Sequence, residues 1–373
     1  MPSLALHPAA PTAGPPLTQP AAGLVDVFVA GVGHVGGALL RQIAALPGRP
    51  RLRVVGGSTT RGAVLRPDGV PADALAAALA VCAPPDWPAL AAALADHARP
   101  LVVVDATGSS EVAARYEALL GAGVHVVTSS KLANAGPLDL FYRLQALGDG
   151  RRAHYRFETT VGAGLPLVRT VEDLAATGDR VRSVRAVLSG TMTYLFSEVE
   201  HGVPFSVAVA EAVRRGYAEP DPRDDLSGED VVRKGLILGR AAGLATERAE
   251  VEVDGLASVA VRAAPRDEVV ARLAAEDGAW ARRARSAEAA GHRLRYVARL
   301  DARGGRGHLR VGVEAVPADS PLGRLGRTDN VVEITTDRYA ASPLVVQGPG
   351  AGAEVTAGGV LADVLAVARA VAR

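Results

Sequence analysis

The segment Gly31–Gly37, GVGHVGG, lies between a short apolar run, Leu24–Ala30, and an apolar stretch with helical character, Ala38–Leu46. A buried strand that turns on glycines straight into a helix is the opening unit of a parallel α/β sheet. The spaced glycines have separable jobs. Gly31 permits the tight turn, Gly33 lets the backbone approach a pyrophosphate, and Gly36 lets the helix sit close to the strand. The N-terminus of the helix favours an anion. Gly31, Val32, Gly33, His34, Val35 and Gly36 are therefore candidate dinucleotide contacts. His34, inside the glycine run, is free either to reach the phosphates or to face solvent.

Further strands are expected at Leu52–Val55, Leu101–Ala106 and Val124–Thr128, with alanine-rich helical segments between them. The pattern defines a Rossmann-like, doubly wound nucleotide-binding domain over residues 23–148. Past Leu147 the character changes. A strand at His154–Phe157, a helix, a strand at Val184–Leu188 and helices around Tyr194, Val207 and Val231 precede two strands, His292–Leu300 and His308–Val316, joined by the hairpin signal DARGGRG. An α+β domain for substrate binding and dimerisation is expected over residues 149–340. Residues 341–373 form a glycine turn and an amphipathic helix expected to return to the nucleotide domain. Residues 1–22, rich in proline and alanine, read as a flexible tail. A length of 373 residues suits two domains.

A net charge of +1 and a hydrophobic content of 49% argue against nucleic acid, which needs a concentrated basic surface. The lone cysteine, Cys82, excludes an internal disulfide and suits a reducing cytoplasm. No apolar run reaches membrane-spanning length, so no membrane partner is expected.

The acidic residue expected at the end of the second strand, which would hold a ribose 2′-hydroxyl, is missing. VVGGSTTRG offers Ser58 and Arg61 instead, which suit a 2′-phosphate, so NADP(H) is favoured with NAD(H) as the alternative. Thr107 and Gly108, in VDATGSS at the next strand end, could border the nicotinamide.

Of 41 basic residues only Lys131 and Lys234 are lysines, in VTSSKLANAG and DLSGEDVVRKG. Arginine keeps its proton under protein conditions whereas lysine can be tuned to release it, so two lysines in an arginine-rich chain mark places that need an amine. Glu219, Asp221, Asp224, Asp225, Glu229 and Asp230 crowd the region before Lys234. Ser227 is a plausible helix N-cap. Asp230 and Lys234, four apart, share a helical face on which the carboxylate would hold the ammonium. A lysine whose pKa is lowered from about 10.4 by burial or by a second cation can exchange a proton with a carbonyl oxygen.

GVGHVGG, TSSKLANAG, ETTVGAGLPLV, LSGTMTYLF, GYAEPDPRDDLSGEDVVRKGLILGR and GPGAGAEVTAGGVLADVL together closely resemble homoserine dehydrogenase, in family order and over nearly everything after Gly23. The acidic block is most similar to the dehydrogenase half of fused aspartokinase–homoserine dehydrogenases. The resemblance implies reversible NAD(P)H-dependent reduction of L-aspartate 4-semialdehyde to L-homoserine, in threonine, methionine and isoleucine biosynthesis. It makes Lys234 the proton donor and Lys131 the residue that orients substrate beside the nicotinamide. Glu219 would take the substrate ammonium, with Asp225 and Asp230 lining the site and Gly190, Thr191 and Tyr217 on the substrate side. Lys131, Glu219 and Gly352 match cofactor contacts. Glu158 and the carbonyls of Val161, Ala163 and Leu165 match a monovalent-cation site, for Na+ or K+. A homodimer is implied as well. Ser130 departs from the family, which usually has asparagine there.

With no room for a regulatory domain after the last helix, threonine is expected to inhibit little and only competitively. Two other readings remain open: an oxidoreductase of another amino-acid aldehyde or keto acid, and a non-enzymatic dinucleotide sensor. Glu219 with Asp225 favours an amine-bearing substrate, and a sensor would have no need of the lysines.

Overall fold

The computed structural model describes residues 23–46, 52–150, 152–326 and 328–371. Strand β1 (Val25–Ala30) is buried at every position, as a strand covered on both faces must be. It pairs in parallel with β2 (Leu52–Ser58) on one side and with β4 (Leu101–Asp105) on the other. β5 (His125–Thr128) and β6 (Tyr155–Arg156) extend the sheet in the same direction, and β3 (Ala63–Leu65) closes its far edge antiparallel to β2. The order β3-β2-β1-β4-β5-β6 reverses its winding between β1 and β4. Ligands of such sheets bind at that switch point, outside the carboxyl ends of the strands. The edge strand β3 has no signal in the sequence. It exists because Thr59 closes a tight turn, with its N–H donating to the Gly62 carbonyl at 2.8 Å and its Oγ1 accepting from the N–H groups of Arg61 and Gly62 at 3.2 Å.

The second sheet contains β7 (Val181–Val187), β8 (Glu252–Val253), β9 (His292–Arg303), β10 (Arg306–Pro317), β11 (Asp329–Thr336) and β12 (Leu344–Pro349), in the order β12-β11-β7-β9-β10-β8. All its pairings are antiparallel except that of β8 with β10. The β9–β10 ladder runs further than the sequence reading placed it, from His292↔Pro317 to Arg303↔Arg306. Gly304 and Gly305, at φ +57° and +77°, make a two-residue turn whose twist matches the strands, so pairing persists to its edge.

The helix Ala353–Val371 packs into the nucleotide-side core, where its Val360, Val364 and Val367 share one buried cluster with Val25, Val27 and Val29 of β1 and with Leu39 and Ile43 of the helix His34–Ala44. Each fully buried valine of this kind contributes about 1.5–3 kcal/mol relative to exposure. Arg41 and Gln42 fasten the start of the last helix by bonding the Glu354 carboxylate at 2.5 and 3.0 Å. No helix among the described residues is long and apolar enough to cross a membrane.

Candidate active site

The glycine turn is shaped by what its missing side chains would strike. A Cβ on Gly31, at φ +91°, would lie 2.7 Å from Thr107 Cγ2 and 2.8 Å from the Ala106 carbonyl oxygen. One on Gly36 would lie 2.1 Å from the Gly31 carbonyl oxygen, whereas one on Gly33 would meet nothing within 4 Å. The turn is tight on two sides and open at Gly33. The helix that starts at His34 has no side-chain cap and no acid in its first turn, so its N–H groups and dipole remain for an anion. His34 is exposed at the first helical position, with Val32 and Val35 half-buried beside it.

The Gly31 and Val32 N–H groups donate to the Ser58 carbonyl at 2.9 and 3.1 Å, tying the turn to the end of β2. Ser58 is buried and Arg61 exposed, and no carboxylate lies between them. At the end of β4, Asp105 accepts from the Thr107 N–H at 2.7 Å and its hydroxyl at 2.6 Å, and from the buried Tyr116 hydroxyl. Burial pushes the Asp105 carboxyl up, and these hydrogen bonds oppose the rise. Thr107 is thereby held against Gly31, while Gly108 beside it is exposed. Gly352, at φ +122°, precedes the Glu354 that bonds Arg41 and Gln42, which sets its loop near the first helix.

Both lysines converge on one carboxylate. Lys131 follows β5 by three residues, and the neighbouring Ser129 N–H donates to the Asp105 carbonyl at 2.9 Å, so the loop stays at the rim where β4 and β5 end. Lys234 lies on the helix Glu229–Ala241, whose buried Gly235 admits the Leu309 side chain of β10. Asp230 takes Lys234 Nζ on one oxygen at 2.7 Å and faces Lys131 Nζ with the other at 3.4 Å. Lys234 also donates to the Leu188 carbonyl at 2.6 Å. One of its three N–H bonds is left over. Side-chain exposure is 12% for Lys234, 29% for Lys131 and 51% for Asp230, so the pair opens to a ligand through its carboxylate side. Burial lowers the pKa of Lys234 and Lys131 adds to that, with Asp230 opposing both. Burial also works against the Asp230 anion, but the two ammonium groups outweigh it and hold its carboxyl at about 2.

The acidic block divides by partner. Asp225 accepts from the Glu219 N–H at 2.7 Å, and Thr191 donates to the Tyr217 carbonyl at 2.6 Å, so the 217–225 loop folds against the start of the helix Gly190–Glu200. Burial raises the Asp225 carboxyl above its ordinary value. Gly190 has no room for a side chain, since a Cβ there would lie 2.9 Å from the Thr328 carbonyl oxygen. Glu219 and Tyr217 are exposed. Asp221 is bound to Arg223 at 2.5 Å and Glu229 is paired with Arg248, so neither reaches the lysines. Ser227 is not the N-cap. That position belongs to Gly228, at φ +77°, where a Cβ would strike the Tyr296 hydroxyl, while Ser227 Oγ accepts from the Glu229 N–H at 3.2 Å.

The Glu158 carboxylate, buried, accepts from the N–H groups of Val168 and Arg169 at 2.8 and 2.9 Å and so caps the helix Val168–Ala176. The Leu165 carbonyl accepts from the Leu167 N–H at 2.9 Å. Between them Gly162 and Ala163 have φ of +70° and +55°; Ala163 is the one non-glycine residue with positive φ among the described residues. Such a conformation costs an alanine roughly 1–2 kcal/mol. Gly164 and Gly359 bring this loop against the last helix, at Val355 and Thr159.

Two participants escaped the sequence reading. The Leu188 carbonyl is backbone and carries no residue-type signal. Asp105 stood in the quoted strand end VDATGSS, but its role follows from Tyr116 and Thr107 closing around it.

The fold and site define a class: a doubly wound nucleotide-binding sheet with a lysine–carboxylate–lysine centre at its rim. Residues 166–365 match the homoserine dehydrogenase family model, and residues 31–158 match the model of the homoserine dehydrogenase NAD-binding domain. The chain is 36% identical over 362 residues to a homoserine dehydrogenase of Emericella nidulans, covering 91% of this chain and 97% of that one. It is 45% identical over 265 residues, 71% of its length, to a chloroplastic bifunctional aspartokinase/homoserine dehydrogenase of Zea mays, and that match spans 29% of the longer protein. The crystal structure of a Candida auris protein of unknown function superposes with a TM-score of 0.86 at 34% identity, over 92% of this chain and 98% of that one. The chain belongs to the homoserine dehydrogenase family.

Proposed function

We propose that the protein catalyses the reversible reduction of L-aspartate 4-semialdehyde to L-homoserine with NAD(P)H. The observation that carries this reading is the placement of Lys234: its ammonium is pinned by Asp230 and the Leu188 carbonyl, with one N–H free, at the rim of the nucleotide sheet. The Gly31–Gly36 turn would hold the pyrophosphate of a bound NAD(P)H, with Thr107 and Gly108 bordering its nicotinamide, which would supply the hydride for the aldehyde carbon. The carbonyl π pair takes the proton of Lys234, leaving a hydroxyl and a neutral amine; the oxidation of homoserine runs the same transfer backwards. Lys131 orients the substrate, and Glu219 and Asp225 receive its ammonium beside Gly190, Thr191 and Tyr217. NADPH consumption with the semialdehyde, and little with the analogue lacking the amino group, is the expected assay result. Equal turnover of both aldehydes would remove the amine-reading role of Glu219 and Asp225.

NADP(H) is the preferred cofactor in this reading, because the β2 end offers Ser58 and Arg61 and no carboxylate. Arg61→Ala should narrow the ratio of NADPH to NADH affinity by roughly 10-fold, about the worth of one charge-assisted hydrogen bond. Titrations giving equal affinities before mutation would defeat the preference. Glu158 and the carbonyls of Val161, Ala163 and Leu165 would hold a Na+ or K+ ion; an all-oxygen donor set suits a hard cation, and the strained Ala163 gives the loop a reason to keep its shape. The edge strand β12, paired among the described residues with β11 alone and carrying the exposed Val345, is a surface that needs cover, which supports a homodimer through the second sheet. Sedimentation showing a stable, active monomer would contradict this. Cys82, a free thiol, suits a cytoplasmic location.

A further inference from the structure

The helix Glu229–Ala241 carries Asp230 and Lys234 in its first half and Arg240 near its end. The Arg240 side chain is fully buried. All five of its N–H donors are engaged. Nη1 donates to the carbonyls of Asn134 and Gly136, both at 2.7 Å. Nε and Nη2 donate to the Thr246 carbonyl at 3.1 and 2.9 Å, and Nη2 also reaches the Glu247 carboxylate at 3.4 Å. The guanidinium stands 5.9 Å from the centre of the Phe141 ring.

The two carbonyls bound by Nη1 belong to the turn that carries Lys131. They flank Ala135, whose N–H donates to the Lys131 carbonyl at 2.8 Å. The turn is compact: Gly136 N–H donates to the Ala133 carbonyl, and a Cβ on Gly136 would lie 3.0 Å from the Leu132 carbonyl oxygen. Glu247 grips the same stretch from the other side, accepting from the Leu138 N–H at 2.9 Å. The Lys131 turn is therefore joined to the catalytic helix at two points, the Lys131–Asp230 ion pair at one end and the Arg240 fork at the other. An apolar side chain would hold a helix against a loop at lower desolvation cost than a buried guanidinium. What the planar fork adds is a fixed direction to two carbonyls at once.

We propose that Arg240 is a positioning residue that sets the separation of Lys131 from Asp230 and Lys234, bolting the turn of the nucleotide sheet to the helix of the second sheet. The inference rests on the lysine-pair reading above, and the test separates the two. A double-mutant cycle on the full chain compares Arg240→Met, Lys131→Met and the pair. Arg240→Met should lower kcat/KM for the semialdehyde by roughly 30-fold, and by less than about 3-fold when Lys131 is already methionine, since residues acting through one another are not additive. NADPH binding to the free enzyme should change far less than kcat/KM, since the Gly31–Gly36 turn is untouched. The alkaline limb of the pH profile should move to higher pH, because a withdrawn Lys131 no longer depresses Lys234. Arg240→Lys, which keeps the charge but not the fork, should show the same pattern more weakly and serves where the methionine variant does not fold. Equal losses in both Lys131 backgrounds, with an unmoved pH limb, would mean that Arg240 supports the fold alone and would overturn the proposal. A Lys131→Met enzyme with full activity would sink the lysine-pair reading, and this inference with it.

Discussion

Replacing Lys234 by arginine should lower kcat for semialdehyde reduction by roughly 100-fold or more, the usual worth of a general acid, while leaving NADPH binding intact. The substitution keeps a cation beside Asp230 but removes the one property arginine lacks, a proton that can leave and return. Position matters as much as chemistry. Lys234 spends two of its three N–H bonds on Asp230 and Leu188, which leaves the third with a single direction. The pH dependence has a definite sign. If Lys234 is the proton donor proposed above, reduction needs the ammonium, so its rate falls as pH rises through the Lys234 pKa, and burial with Lys131 nearby places that point below the ordinary lysine value. Oxidation of homoserine needs the neutral amine and should rise over the same interval. Steady-state kinetics in both directions, with cofactor titration of the free enzyme, check these expectations. An arginine variant with near-normal turnover removes Lys234 from the chemistry.

Much of this site is legible in the sequence because its demands fall on residue types with few substitutes. Gly31 and Gly36 stand where any side chain collides with backbone, and a run of spaced glycines announces that. The two lysines are conspicuous against an arginine-rich background. What the sequence conceals is partnership. Six carboxylates precede Lys234, yet which of them faces it depends on which arginines take the others, and on what holds those arginines. Arg248 takes Glu229, while Arg223 takes Asp221 and anchors itself on the carbonyls of Arg262 and Ala264. The expected cap at Ser227 fails for a similar reason: Tyr296, on β9, crowds the next position so closely that only glycine fits, and the helix starts from that glycine. Backbone groups are invisible altogether. The Leu188 carbonyl that steadies Lys234 and the Asn134 and Gly136 carbonyls that take Arg240 would be the same with other side chains. The strands β3, β8 and β12 carry little signal because short or edge strands take their form from a neighbour more than from their own alternation, whereas β11, eight residues long between β12 and β7, has no such excuse.

Asp230→Asn should lower kcat by a comparable factor, roughly 100-fold at neutral pH, through a change opposite in pH sign to that expected for Arg240→Met. Asp230 is the carboxylate that holds the Lys234 proton; burial and Lys131 both favour its loss. With the anion replaced by an amide, the Lys234 pKa drops further and the alkaline limb of the reduction moves to lower pH. The amide oxygen can still accept from Nζ, so the side chain need not swing away, and lowering the pH should restore part of the lost rate by restoring the ammonium. Lys131 loses its facing charge in the same step, so KM for the semialdehyde should rise while NADPH affinity holds. A rival account gives Asp230 only the task of a negative charge in the first turn of its helix, which contributes about 0.3–1 kcal/mol to stability. That account expects a modest drop in thermal midpoint and an unmoved pH profile. Profiles of the two enzymes that superimpose would favour it and would leave Lys234 without its anionic support.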